Sequence, residues 1–383
     1  MRKRYAIARK GVLLLFAACF AMLLIPGPTA RALPPDIASM NPLSIDLANS
    51  DTSLLGSTAG SWAAYYEYNA SILTIKQDPP PGFDGYRIWQ SGVHAVQSVT
   101  VASGVTTEIA ADNITVTGLT NAGRTPLSIL AGAQPTVVLV GDNTFINDHN
   151  STIANVPAGA ALTFSGSGSV HITGTTYGTP AVTNNGDIFI TGNATVSAEP
   201  ISNFAAFIGD GNLSLSNYAV LNVTPANRES ILAGKITIKD NAVLNAKSRS
   251  VANPAIIADM IQVSDHGELR TKPVASTASG INIRANGTFT AEDNAIVDVA
   301  SSVNNGYGIT NNGTFTLSGS ASVTISTSGN NGHGIINNTG ISLRPQRPLR
   351  GHGIGNALLF SNDIGAQRGQ ALFYAIIPTI HMM

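Results

Sequence analysis

Along the middle of the chain, apolar side chains recur in a fixed order about every 25 residues, and inside each repeat they alternate with polar ones. Strand starts fall at Val138, Leu162, Ile188, Leu213, Ile236, Ile261, Phe289, Phe315 and Ile341, spaced 23 to 28 residues apart. Two residues on stands a second apolar column: Val140, Phe164, Ile190, Leu215, Ile238, Val263, Ala291, Leu317. Eight residues on stands a third: Ile146, Val170, Val196, Leu221, Leu244, Leu269, Val297, Val323. Alternate side chains of a strand share a face, so the first two columns belong to one short strand and the third to another beyond a turn. Six residues before the start, Val156, Val182, Ile283, Ile309 and Ile335 supply a further strand in several repeats.

Three short strands per repeat, with turns between them, predict a solenoid rather than an antiparallel sandwich, which has no reason to keep such columns in register. The predicted fold is all-β: a right-handed parallel β-helix of about nine coils over residues 96–343. Coils stacked ~4.8 Å apart turn the apolar columns into one interior that a lone coil cannot build.

The flanks read differently. Residues 33–95 concentrate Trp62, Tyr65, Tyr66, Tyr68 and Trp89 around Pro79-Pro80-Pro81-Gly82, and they are expected to cap the first coil. A cap keeps an open ladder end from pairing with other chains. The two tryptophans raise a second reading, a small sugar-stacking surface. After Leu343 the repeat fails abruptly, and Arg344 to Arg350 brings three arginines into seven residues. Residues 344–383 read either as a terminal cap or as sequence out of frame with a longer array.

Residues 1–32 have the layout of a secretory signal peptide. Arg2, Lys3, Arg4, Arg9 and Lys10 precede an uncharged run from Gly11 to Ile25, then Pro26-Gly27-Pro28 and the small-x-small site Ala30-Arg31-Ala32. The run is shorter than the ~20 residues a spanning helix needs. The only cysteine, Cys19, lies inside this leader, so the exported chain is expected to carry neither disulfides nor thiolate chemistry. Charged residues make up 11% of the chain and the net charge is −1, with no basic stripe to suggest nucleic acid. A 43% hydrophobic fraction argues against disorder.

Four residues after each strand start comes a column of Asp142, Gly166, Gly192, Asn217, Asp240, Asp265, Asp293 and Gly319; Asn143, Asn193, Asn241, His266 and Asn294 are among the residues that follow. Gly, Asn and Asp tolerate positive φ, and Asx side chains bond nearby backbone, so tight turns account for the column. A sharper reading singles out Asp240, Asp265 and Asp293 on three consecutive coils as a calcium site. Carboxylates stacked ~5 Å apart repel unless a cation or solvent screens them, and hard oxygen donors suit Ca²⁺. Lys239 and Glu292 flank the column and are placed to pair across coils.

Catalysis asks for more. A lyase acting on acidic polysaccharide needs a basic residue beside such a carboxylate cluster; Lys235, Lys239, Lys247, Arg249 and Arg270 lie in the region without forming a column that faces the aspartates. A hydrolase needs two carboxylates in a cleft, ~5 to 9 Å apart. No Ser/His/Asp motif or phosphate loop is present, and His171, His266 and His333 are scattered. Tyr307 and His333 sit in equivalent Gly-x-Gly-Ile segments that read as turns.

Segments such as Asn286-Gly-Thr-Phe-Thr-Ala-Glu-Asp-Asn-Ala-Ile-Val297 and Pro157-Ala-Gly-Ala-Ala-Leu-Thr-Phe-Ser-Gly-Ser-Gly-Ser-Val170 resemble the pectate-lyase-like adhesive repeats of Gram-positive surface proteins. The resemblance covers about residues 95 to 343 and implies a right-handed β-helix with an adhesin-like role, often toward carbohydrate, and no catalytic residues. A departure is the missing wall-anchor motif. The functional expectation is thus a secreted or cell-surface protein, not an enzyme, that binds extracellular polysaccharide or a host glycan through a repetitive Asn/Thr/Ser-rich face. The alternatives are a polysaccharide lyase or hydrolase on the same fold, and a non-binding structural stalk.

Overall fold

The computed structural model describes residues 40–47, 62–69, 71–92, 96–118, 124–147, 152–174, 179–200, 204–224, 228–248, 253–273, 280–301, 307–327, 333–337, 340–345, 350–353 and 361–362. The chain divides into two units, Met1–Pro34 and Pro35–Met383, and everything below concerns the second. The leader expected over residues 1–32, with Cys19, lies outside the described residues. All described elements are strands, and no helix among the described residues is long and apolar enough to cross a membrane.

The strands stack in three parallel ladders, as the repeat predicts. The first ladder runs through Ile72–Ile75, Ser98–Val101, Leu127–Ile129, Ala154–Val156, Val182–Asn184 and Phe207–Ile208, and later through Tyr307–Asn311 and His333–Asn337. The second runs through Pro42–Asp46, Gly85–Trp89, Glu108–Asp112, Thr136–Val140, Ala161–Gly166, Asp187–Ile190 and Asn212–Leu215, and later through Thr314–Gly319 and Gly340–Pro345. In three middle coils the strands of these two ladders fuse into Ile231–Ile238, Ile256–Val263 and Ile281–Ala291. The third ladder has ten strands among the described residues, from Thr115–Gly118 to Arg350–Gly353, stacked strictly in chain order. The result is an all-β parallel solenoid, the architecture the columns called for.

The interior is what the columns describe. Leu162, Ile188, Leu213, Ile236, Ile261, Phe289 and Phe315 pair successively along the second ladder and are fully buried. Phe289 and Phe315 stack face to face, with centroids 4.9 Å apart. Burying one such side chain stabilises the fold by about 1.5–3 kcal/mol, and repetition makes the core continuous.

Two registers differ from the sequence reading. In the strand Thr136–Val140 the buried residues are Val137 and Leu139, not Val138 and Val140, and in the following strand Asn143, not Ile146, pairs with Val170, while buried Phe145 pairs with Ile172. A slip of one residue exchanges the two faces of a strand. Here Val137-Val-Leu-Val140 is aliphatic throughout, so alternation cannot choose the phase. The positive φ of that coil accordingly falls on Gly141, while Asp142 begins the third-ladder strand and Asn143 points inside. Buried Asn143 is satisfied: its Oδ1 accepts from the Ile114 N–H at 3.0 Å and its Nδ2 donates to Val140 O and Ser169 O.

The second difference lies in the first ladder, where Val182 pairs with Ala154 and Phe207, and Ile309 with Ile281 and Ile335. Val156 and Ile283 stand two residues further along, so the expected column merges two neighbours. A shift of two keeps a residue on the same face. Burial was therefore right where pairing was not. Tyr307 and His333 pair as strand residues of this ladder rather than standing in turns.

Part of the segment expected as a cap is built into the ladders, since Ile72–Ile75 and Gly85–Trp89 pair parallel with the coil above. Tyr66–Asn69 folds back antiparallel on Ile72–Ile75 and ends that regularity. Trp62 meets Phe83 edge-on at 5.6 Å and tilts against Tyr65, partly buried on the core, whereas Trp89 lies beneath the Arg87 guanidinium. At the other end, Arg350–Gly353 and Ser361–Asn362 continue the third and first ladders by backbone pairing.

Candidate ligand-binding face

Each coil passes from its second to its third strand through one residue with positive φ. The series is Asn113, Gly141, Gly166, Gly192, Asn217, Asp240, Asp265, Asp293 and Gly319. In several coils the turn is closed by an amide bonded to the carbonyl three residues before it, as in Ala242 N–H to Lys239 O at 3.2 Å and Ala295 N–H to Glu292 O at 3.1 Å. The closing alanines, Ala194, Ala219, Ala242 and Ala295, are fully buried because only a small side chain fits the corner.

The three aspartates singled out by sequence therefore share one column, and the structure shows what holds them. Asp240 Oδ2 accepts from the Asn217 N–H at 2.9 Å; Asp265 and Asp293 Oδ2 accept at 3.4 Å from the N–H of Asp240 and Asp265. Each carboxylate reaches back to the amide of the equivalent residue one coil earlier. That amide sits at positive φ just beyond the strand and otherwise faces solvent, so the contact supplies a charge-assisted hydrogen bond. The carbonyls of Asp240 and Asp265 in turn accept from His266 and Asn294 of the following coil at 2.8 Å. Among the described residues no group of three or more His, Cys, Asp or Glu is arranged to hold a metal ion. Glu292 does not meet Lys239; its Oε1 accepts from Gln262 Nε2 at 2.9 Å.

The basic residues weighed for proton abstraction are spread over different faces. Lys235 stands on the outward side of the second ladder between Asn212 and Met260, while Lys247 and Arg270 stand on the third. Arg249 lies outside the described residues. His171 is on the third ladder and His266 in a turn.

Outward on the second ladder the register assembles one continuous polar column: Thr163, Phe189, Ser214, Thr237, Gln262, Thr290 and Thr316. One member is aromatic. Phe189 is 39% exposed, against near-zero exposure for its chain neighbours Ile188 and Ile190. Thr163 and Ser214 stand directly on either side of it in the stack. Along its own strand lies Asp187, whose Oδ1 accepts from Asn212 Nδ2 at 2.6 Å. Beyond the strand, Thr191 Oγ1 receives Ser216 Oγ at 2.9 Å and Asn217 Nδ2 at 2.8 Å. The patch thus combines an aromatic face with hydroxyl, amide and carboxylate groups on a rigid ladder.

Sequence reading missed Phe189. In Asp187-Ile-Phe-Ile190 an apolar residue between two core residues looks like part of a strand buried on both sides. The repeat register carried the signal, because the position after each strand start is otherwise Thr, Ser or Gln from Leu162 onward. No family model, curated protein or solved structure matches this chain.

Proposed function

We propose that this solenoid is a secreted or cell-surface binding protein that holds carbohydrate against the outward face of its second ladder, centred on Phe189. The carrying observation is the exposed aromatic ring in register between Thr163 and Ser214. A sugar ring offers an apolar face of C–H groups and a rim of hydroxyls. The first suits an aromatic side chain and the second suits Thr, Ser, Asn and Asp, which donate and accept in the combinations a hydroxyl needs. Each contact is weak, and repetition along the stack converts weak contacts into avidity for a polymer. The basic, then apolar, then small-residue leader of the sequence supports export. A binding role fits better than catalysis, because the aspartates a lyase or hydrolase would recruit are engaged with backbone amides.

The test is retention of the full chain on a panel of immobilised polysaccharides, with the soluble phase assayed for released sugar. Retention on at least one polymer without product is expected, weakened about tenfold or more by Phe189→Ala, equivalent to about 1.4 kcal/mol. Retention on no polymer, or a Phe189→Ala variant that binds like the parent, would sink the reading. Released product would replace it with an enzymatic one.

A further inference from the structure

Where charges meet between coils in this solenoid, they are compensated. Arg87 pairs with Asp112 on the next coil. Arg284 reaches Asp259 at 3.1 Å and Asp210 at 3.4 Å. The stacked aspartates rest on backbone amides. The third ladder departs from this rule at one place. Lys247 and Lys272 are direct partners in the parallel register of Val243–Ser248 and Glu268–Pro273. Both are exposed, and neither ammonium has a hydrogen bond or ion pair among the described residues.

Like charges directly opposed across a ladder are unfavourable. Salt does not remove the repulsion, because a Debye length of ~8 Å exceeds the spacing of adjacent strands. Arg270 adds a third cation on the same outward face, its guanidinium held by Glu268. These three are the only lysines and arginines whose side chains are described on that ladder, and they fall on two consecutive coils. Next to them Asn245 Nδ2 donates to Asn222 Oδ1, extending a hydrogen-bonding surface toward the coil before. Asp298, paired with Arg270, closes the patch on the other side.

We propose that Lys247 and Lys272 form an anion site for the carboxylate or sulfate groups of an acidic polysaccharide, separate from the Phe189 face. An anionic group between two ammoniums turns their repulsion into two charge-assisted hydrogen bonds. Two coils span about 10 Å, so the site holds a short stretch of polymer rather than a long tract. Nucleic acid fits less well: the strands that carry Lys247, Arg270 and Lys272, and those on either side of them, carry no aromatic residue on which bases would stack.

The experiment compares the full chain, its Lys247→Gln/Lys272→Gln variant and its Phe189→Ala variant on immobilised polygalacturonate, dextran sulfate and neutral dextran. The parent should hold to at least one acidic polymer, and the choice between them tells carboxylate from sulfate. The double variant should lose about tenfold in affinity, and the slope of log affinity against log salt should flatten by about two. Because Phe189 carries no charge, the salt slope on the acidic polymer should keep the parent's value in Phe189→Ala, which separates this site from the face proposed above. Removing two unpaired, mutually repelling charges should not lower the thermal midpoint. Undiminished binding by the double variant, an equal loss by that variant on neutral dextran, displacement by single-stranded DNA at lower charge concentration, or a lowered midpoint would each overturn the proposal.

Discussion

From the coil of Val182–Asn184 onward, the passage from first to second strand and the corner from second to third are built from different materials. At the first of these the requirement is empty space, whereas Gly104, Gly132 and Gly159 hold the same corner of earlier coils by positive φ. A Cβ on Gly313 would lie 1.9 Å from the carbonyl oxygen of Gly287, and one on Gly211 would lie 2.2 Å from that of Gly186. Neither residue has positive φ. Glycine is needed there because the neighbouring coil's backbone fills the place of a side chain. At the corner between second and third strands the requirement is a backbone angle. Gly, Asn and Asp all occupy it, and the three aspartates use their side chains to satisfy an amide of the coil before. The first corner excludes side chains and the second recruits them.

The largest effect that separates the two is steric. Gly313→Ala should destabilise the chain by about 3 kcal/mol, near the upper end for overpacking, because the clash is with backbone that cannot rotate away. Gly192→Ala, at the other corner, meets only Gly166 backbone atoms at 3.3 and 3.4 Å and has φ +68°. Its cost should be that of left-handed backbone alone, about 1–2 kcal/mol, and Gly192→Asn should cost less. Urea unfolding midpoints of the three variants decide the matter. Equal losses at the two corners would dissolve the distinction.

A smaller effect tests the recruited side chains. Asp265→Ala removes the acceptor of the Asp240 N–H and places a Cβ-bearing residue without Asx bonding at φ +55°, so it should cost about 1–2 kcal/mol. Asp265→Asn keeps an acceptor oxygen and the tolerance for positive φ, and should cost less than about 0.5 kcal/mol. An Asn variant as damaging as Ala would mean the negative charge itself is needed.

The first described coil makes its corner in a third way, which pH can expose. Its linker from Lys76 to Asp84 is fastened from inside by Tyr86, whose fully buried hydroxyl donates to Gln77 O at 2.8 Å. Burial, with a lesser contribution from Asp78, pushes this phenol well above its ordinary value of 10. Since the folded state holds the proton more tightly than the unfolded state, the contribution is fully present below pH 10 and is lost as pH rises above it. Stability should fall in that alkaline window. Tyr86→Phe should flatten the fall while costing about 1 kcal/mol at neutral pH, and an unchanged alkaline profile in that variant would assign the loss to other groups.

What could be read from sequence divides along the same line. Interior columns were legible because a buried face demands alternation and successive coils repeat the demand; they blurred at Val137-Val-Leu-Val140, where both faces are aliphatic, and in the first ladder, where a shift of two residues leaves burial unchanged. The positive-φ column was legible because only Gly, Asn and Asp populate it. Glycines such as Gly313 were not, because nothing in one coil's sequence says that another coil's carbonyl needs the room. Outward residues were legible only through register: Phe189 hid between two core isoleucines, and only the pairing of strands puts Lys247 beside Lys272.

The smallest expected effect bears on the aspartate column itself. One carboxylate oxygen each of Asp240, Asp265 and Asp293, Oδ2, is already engaged by an amide of the preceding coil, so a calcium ion would compete with those contacts or take Oδ1 alone. An ion that binds only the folded state raises stability by RT ln(1 + [L]/Kd), about 2.7 kcal/mol at a hundredfold excess over Kd, which amounts to several degrees of melting temperature for a chain of this size. If amide capping is the work of these side chains, millimolar calcium and chelator should give thermal midpoints within about 2 °C of each other. A rise of several degrees that Asp265→Asn abolishes would place the ion on the carboxylates and make this corner a ligand site as well as a turn. A rise that survives Asp265→Asn would send the ion elsewhere and leave the contrast between the two corners standing.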